Sequence, residues 1–543
     1  MFRRYCLNTI RGIMNEKEMR EFGRIRRILW PIQSHEQKML IPMFLMLLFI
    51  CFNYSVLRNM KDALVVTARS SGAAVIPFIK VWAMLPMAIL VTVLYTKLAE
   101  RYSQETVFYF IIGGFLFFFA LFGLVLYPNQ EYLHPHEFAQ KLEEVLPGGF
   151  KWLVAMLRNW TFTGFYVLSE LWGCIVLTVL FWSFANEVTR IGDAKRFYAV
   201  LSFGGNLAAV LAGQIPGIIT RGNYASDSVN ILLVMVVISG LATMGIFRWM
   251  NCNVLNAPQF DNLHRNVAEA QVKKGKKKKL SLRESFGHLT NSKYLLCIAA
   301  LVVGYNLVIN LVEVVWKDQL KQLYPGFDDY NAYLGNLTTG IGILSMVMAP
   351  AIPYLIQRFS WTGTALITPV TILTTGLFFF GLLFFKDILP AAGLPLIGAS
   401  PLAMLVFIGA AQNCLSKGCK YSVFDTTKEM AFIPLDHSVK LKGKAAIDGV
   451  GSRLGKSGGS LLHQSLLLVF GGSLAASAPY VAAILLLVIV GWIMATKSLG
   501  RQLHVLVASH GEQIGEDREG ELVAAATHEV SPEEEGQPTA SGA

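Results

Sequence analysis

Apolar residues in this chain come in long runs interrupted by charge, near 40–60, 75–96, 107–127, 160–185, 197–219, 228–249, 293–316, 335–356, 361–385, 399–416, 444–470 and 478–497. Each run approaches or exceeds the ~20 residues a helix needs to cross ~30 Å of hydrocarbon. Lipid offers no water to backbone amides, so each run is expected to be a helix that satisfies its own N–H and C=O groups. The pattern predicts an all-α integral membrane protein with twelve transmembrane helices. The runs 197–219 and 444–470 are rich in glycine and polar residues, as expected of helices that line a cavity.

Composition agrees. With 54% hydrophobic and 15% charged residues among 543, and a mean hydropathy of +0.48, the chain is too apolar for a pair of soluble domains. The formal net charge of +11 points to a phosphate-bearing ligand or to Lys and Arg gathered in cytoplasmic loops. In a membrane chain nucleic acid is the weakest reading of that charge and is not an expected partner. The seven cysteines, Cys6, Cys51, Cys174, Cys252, Cys297, Cys414 and Cys419, show no C-x-x-C spacing. They suggest neither a zinc site nor a disulfide framework, and no cofactor is expected. Residues 1–39 carry nine Lys or Arg without an apolar core and a small-residue cleavage site, so the first span is expected to direct insertion itself.

If twelve spans are counted, the basic amino terminus, Lys97 to Arg101, Arg190 to Arg196 and the run KKGKKKK at 273–279 fall on one side. That side is the cytoplasm by the positive-inside rule. The longest loop of opposite parity, 128–159, holds three basic residues, Lys141, Lys151 and Arg158, and reads as external. The expected organisation is a basic cytoplasmic N-terminus (1–39), a six-helix bundle (40–249), a Lys-rich cytoplasmic linker (250–292), a second six-helix bundle (293–500) and a disordered acidic cytoplasmic tail (501–543). The first span ends in RNMKD (58–62) and the seventh in VVWKD (314–318), a sign of repetition between the halves. Two six-helix halves with a site between them is the plan of many secondary transporters.

Ionisable residues at membrane depth are costly and mark a pathway or a pair. Glu170 lies about ten residues inside the run that starts at Trp160, too deep to snorkel; a protonated core residue is the alternative. Glu313 sits near the outer end of the seventh span, four residues before Lys317, with which a structural bridge is possible. Arg58 and Lys61 close the first span on one face and could snorkel to the interface. Arg453, Lys456, Ser460 and His463 fall at helical spacings of three and four, a polar and cationic stripe that must face a wet cavity or an anion.

GKSGG at 455–459 superficially suggests a P-loop, but that motif needs a Gly separated by four residues from the Gly-Lys pair and a preceding strand. Val450 occupies that position, and the segment opens an apolar run. A membrane phosphoryl transferase would need clustered carboxylates for Mg²⁺, and the sequence has no D-x-D or D-x₃-D cluster near a membrane surface. An enzyme is therefore not expected. Tyr166, Trp172 and Tyr305 could stack on a base or could equally be bundle packing.

The strings FNYSVLRNMKDALVVTA (52–68), FIKVW (78–82), MLRNWTF (156–162), FYVLSELWG (165–173), FWSFANEVTRIGDAKRFY (181–198), LVEVVWKDQLK (311–321), KEMAFIPLD (428–436) and KGKAAIDGVGSRLGKSGGSL (442–461) resemble the nucleotide transporters, or ATP/ADP translocases, of plastids and obligate intracellular bacteria. The resemblance runs from about residue 25 to 500. It implies a fold like the major facilitator superfamily, a place in a cell inner membrane, and nucleoside triphosphates and diphosphates as substrates. It also implies essential charges at Lys61, Glu170, Glu313 and a lysine of the eleventh span, either Lys444 or Lys456, of which Lys456 is favoured because it lies inside the span. The usual LRDTKD string of the exchangers reads LRNMKD here. With Asn59 in place of an acid, the resemblance leans toward the branch that imports a broader set of nucleotides, GTP and ATP included, with protons.

A triphosphate carries about four negative charges, and moving it alone into an inside-negative cell costs about 9 kcal/mol per 100 mV. Exchange against a diphosphate or symport with protons removes most of that cost. Arg58, Lys61, Arg453 and Lys456 are expected to clamp the phosphates, with Tyr166, Tyr305, Lys317 and Lys444 as further candidate contacts. Glu170 and Glu313 would pair with these cations when the site is empty, and Glu170, Glu313 or His463 could take up a coupling proton. A strict ATP/ADP antiporter is the first alternative to proton symport, and an organic-phosphate carrier the second.

Overall fold

The computed structural model describes residues 36–189, 191–222, 227–255, 292–386, 400–435, 439 and 443–528. The basic segment 1–35, the run KKGKKKK and the acidic EEE at 533–535 lie outside the described residues. Among those described there are helices and turns and no strand. Eleven helices are long and apolar enough to span a bilayer: α1 (Gln37–Thr67), α2 (Val75–Arg101), α3 (Gln104–Leu126), α4 (Trp160–Val188), α5 (Arg196–Arg221), α6 (Ser228–Leu255), α7 (Lys293–Leu323), α8 (Phe327–Ala351), α9 (Tyr354–Phe385), α10 (Pro401–Ala431) and a last helix, Leu474–Leu506. The remaining expected span is also a helix. A π-helical turn, Ala445–Gly451, leads into α11 (Ser452–Val469), whose polar face keeps it below the apolarity of the others; the last helix is α12.

Helix starts follow local chemistry. Ser103, Ser292 and Ser400 each accept a hydrogen bond from the backbone N–H three residues on, at 3.3, 3.4 and 3.2 Å, and Pro401 follows the last of these caps. Ends differ from the sequence expectation where charge had been taken as a boundary. α1 continues to Thr67 and α7 to Leu323, because the residues after Arg58 and Glu313 are good helix formers and their charges are paired inside the protein. Glu313 therefore lies mid-span and not near the outer end, and Lys61 is two turns from the helix terminus. α8 begins at Phe327, ahead of the expected 335, and Ser360, with φ of 62°, breaks the next helix where the expected ninth span begins. The tail expected to be irregular after Arg501 remains helical through His528, its Leu, Val, Ala and Glu content favouring that state.

Helices α5 and α8, from different halves, meet through glycine. A Cβ on Gly213 would overlap Gly335 and Thr339, and one on Gly342 would press on Asn206 and Val210. Small residues let membrane helices approach this closely. At the end of the bundle holding the 127–159 connection, Trp152 donates from its indole to the Gly472 carbonyl at 2.8 Å. Lys321 donates to the Ser71 carbonyl there, and Ser228 bonds Asp328 at 2.5 Å. All three contacts join residues before 255 to residues after 292.

Candidate functional site

Within the bundle α1, α2, α4, α7, α10 and α11 bring a set of ionisable side chains together. α1 supplies Lys61 and Asp62 one residue apart, and Lys61 Nζ donates to Asp62 Oδ1 at 3.0 Å. It also pairs with Glu170 of α4 at 3.2 Å. The other Asp62 oxygen takes Lys317 Nζ of α7 at 2.7 Å. Lys317 in turn pairs with Glu313, one turn earlier, at 3.0 Å, and Glu313 takes Lys417 of α10 at 3.2 Å. The result is a chain of alternating charge, Glu170–Lys61–Asp62–Lys317–Glu313–Lys417, running from the first half to the second. The side chains of Lys61, Asp62 and Lys317 are each 5% exposed, so the chain is buried, where a charge without a partner is strongly unfavourable.

Further cations lie around this chain. Arg58 is within electrostatic reach of Glu313 and Asp62. Lys80 of α2 donates to Asn310 Oδ1 of α7 at 2.7 Å, and Asn310 donates onward to the Lys456 carbonyl at 2.9 Å and to Ser460 Oγ at 3.0 Å. Lys456 acts electrostatically on Glu170. Arg453 and Lys456 are exposed whereas Ser460 and His463 on the same face of α11 are buried. On α4 the half-buried Glu170 is followed one turn later by exposed Cys174, which both Lys456 and Arg453 influence. Charged and exposed positions of α11 thus lie within electrostatic reach of Glu170 and Cys174 of α4, with Arg453, Lys456 and Cys174 exposed.

Most of the residues singled out by sequence converge here: Lys61, Glu170, Glu313 and Lys317 directly, Arg58 and Lys456 at the edge. Tyr166 joins through a cation–π contact, its ring 3.8 Å from Lys61 Nζ, so the face proposed for a base already holds an ammonium. Tyr305 is buried against Phe424, centroids 5.4 Å apart, and Trp492 at 6.0 Å. Trp172 is buried with its indole on the Ile50 carbonyl at 3.1 Å. Both are bundle packing. Lys444 pairs with Glu429 at 2.6 Å, beside a Lys428–Asp448 pair at 2.8 Å near the α10–α11 turn, away from the central chain. His463 is fully buried with Nε2 3.1 Å from the Leu311 carbonyl, which ties α11 to α7.

Sequence reasoning missed Asp62, Lys80, Asn310 and Lys417 as members of the site. Lys417 had a usable signal, an ionisable residue beyond the apolar run of the tenth span. Asp62 and Lys80 stood in strings that were noted only as whole motifs. Asn59, whose identity had suggested a functional branch, accepts a hydrogen bond from Thr338 of α8 at 3.0 Å. It acts as a contact between helices.

Residues 15–503 match the family described as "TLC ATP/ADP transporter". Among similar proteins, the "ADP,ATP carrier protein 1" of Chlamydia pneumoniae is 46% identical over 90% of this chain and 96% of its own length. The chloroplastic "ADP,ATP carrier protein 1" of Arabidopsis thaliana is 42% identical over 86% of this chain and 74% of its own. Among solved structures, a D-xylose-proton symporter superposes with a TM-score of 0.52 at 12% identity over 86% of this chain and 97% of its own, a likeness of major-facilitator fold alone. A multi-pass helical membrane protein with two six-helix halves, a buried charge chain between them and this extent of identity is a transporter and not an enzyme: the chain belongs to the TLC ATP/ADP transporter family.

Proposed function

We propose that this carrier exchanges ATP for ADP across a cell inner membrane, holding the nucleotide phosphates in the crevice between its halves. The observation that carries the reading is an excess of cations. Among the described residues Arg58, Lys61, Lys80, Lys317, Lys417 and Lys456 gather around the carboxylates Asp62, Glu170 and Glu313. The formal surplus of three positive charges suits a trivalent diphosphate and nearly suits a tetravalent triphosphate. Bound phosphate oxygens would replace the carboxylates as partners, so the empty site is not left as bare buried charge.

Exchange is preferred to the proton-coupled import of GTP, ATP and other nucleotides that the Asn59 departure had suggested. The similar proteins carry the name ADP,ATP carrier, and Asn59 bonds Thr338. By the positive-inside rule both termini are placed in the cytoplasm and the 127–159 connection outside, which makes the crevice at Arg453 and Cys174 an inward opening. On that orientation the three outer contacts, at Trp152, Lys321 and Asp328, close the external face.

The test is competition. ADP-loaded proteoliposomes take up labelled ATP, and unlabelled ADP and ATP are expected to block entry while a sugar phosphate at the same concentration does not. Equal blocking by the sugar phosphate would make this a general organic-phosphate carrier.

A further inference from the structure

We infer that Asp62 is a built-in stand-in for a substrate phosphate, and that its bond to Lys317 is the latch that keeps the empty carrier from reorienting. Among the described residues, Asp62–Lys317 is the one ion pair that joins the first six helices to the last six; the pairs of Lys61 with Glu170 and of Glu313 with Lys317 and Lys417 each stay within a half. The two Asp62 oxygens each take one ammonium, from Lys61 at 3.0 Å and from Lys317 at 2.7 Å, an arrangement that two oxygens of one phosphate group could copy. The neighbouring bonds across the seam end on neutral acceptors: Lys80 on Asn310, Thr338 on Asn59, and Gln464 on the Pro77 carbonyl at 2.8 Å.

Opening the external face requires α1 to part from α7, which separates Asp62 from Lys317. Without substrate Lys317 would lose a buried anionic partner and Asp62 one of its two ammonium partners, so the empty carrier stays shut. A polyanion entering from the crevice supplies replacement oxygens to Lys61 and Lys317, and Asp62 passes to water in the parting seam. Differential interaction of this kind is what a ligand needs to shift a conformational equilibrium. The latch rests on the proposed nucleotide exchange and gives it a cause: only a loaded carrier crosses, so each entry demands an exit.

The experiment uses the full-length carrier in proteoliposomes, with cysteine introduced by Gln464→Cys in a background without its native cysteines. The readout is the alkylation rate with a membrane-impermeant maleimide from outside. With Asp62 and Lys317 intact, Cys at this position is expected to stay protected until ATP is added. Asp62→Asn and Lys317→Gln, made separately on opposite halves, are each expected to speed alkylation about tenfold without nucleotide, whereas Asp62→Glu retains protection. A global packing defect in one variant would not be shared by its partner on the other half. Protection undiminished in both variants would overturn the latch. Should the intact protein fail to exchange ATP for ADP, the function is wrong, and the alkylation series still decides whether the pair holds the seam shut.

Discussion

At the scale of residues the account depends on which lysines meet phosphate. Lys61 touches Asp62, Glu170 and the Tyr166 ring, so Lys61→Gln leaves the buried Asp62 and the half-buried Glu170 short of a cation. Exchange is expected to fall by at least ~100-fold, in line with the ~3–5 kcal/mol for breaking a buried pair, with the protein still inserted and monodisperse on size-exclusion chromatography. Lys444→Gln is expected to leave the ATP half-saturation concentration within about twofold, since its pair with Glu429 is partly exposed and such pairs contribute ~0–1 kcal/mol. Lys456→Gln is expected to raise it at least ~tenfold through a lost charge-assisted contact. A larger effect at Lys444 than at Lys456 would misplace the site. Tyr166→Phe keeps the face under Lys61 and is expected to transport normally, while Tyr166→Leu removes a contact of about 0.5–2 kcal/mol and slows exchange severalfold.

At the scale of elements, much of the fold was legible because lipid forces every spanning segment into one long helix. What misled was treating charge as an end. Arg58, Lys61 and Glu313 look like the edges of apolar runs, yet the helices continue beyond them to Thr67 and Leu323, and the residues at those supposed edges form the site. Asp62 and Lys80 were hidden because neighbours in space from α1, α2 and α7 have no proximity in sequence. Close helix approach was equally invisible. Gly213 of α5 faces Gly335 of α8 with no room for a Cβ, so Gly213→Val is expected to lower the thermal midpoint of the purified carrier by several degrees or to abolish insertion, whereas Gly217→Val, with nothing near its Cβ, is tolerated. The 127–159 connection offers a pH readout. His134 shares a hydrogen bond of 2.6 Å with Thr161, and burial holds its imidazole below the usual histidine range, with His136 adding to the effect. The folded protein thus favours the neutral ring, and its contribution to stability is full above the unfolded value of ~6.5. That contribution is lost as pH falls through the lower folded value, so thermal melts should weaken on acidification, and less so in His134→Gln.

At the scale of the whole molecule, Lys61 of RNMKD and Lys317 of VVWKD, one from each half, meet at the same carboxylate of Asp62. The two strings look alike, but the choice of Asp62, with Asp318 instead bonded to Gln319 and Gln322, could be known only from packing. The same interface gathers the positive surplus that would hold nucleotide phosphates, and under the proposed exchange one net charge moves, at ~2.3 kcal/mol per 100 mV, against about four for entry of a triphosphate alone. The most direct measurement is the initial rate of labelled-ATP entry into proteoliposomes that hold ADP, hold nothing, or hold nothing under an inward proton gradient. Rapid entry with internal ADP alone is the predicted result; accumulation in ADP-free vesicles driven by the proton gradient would contradict it.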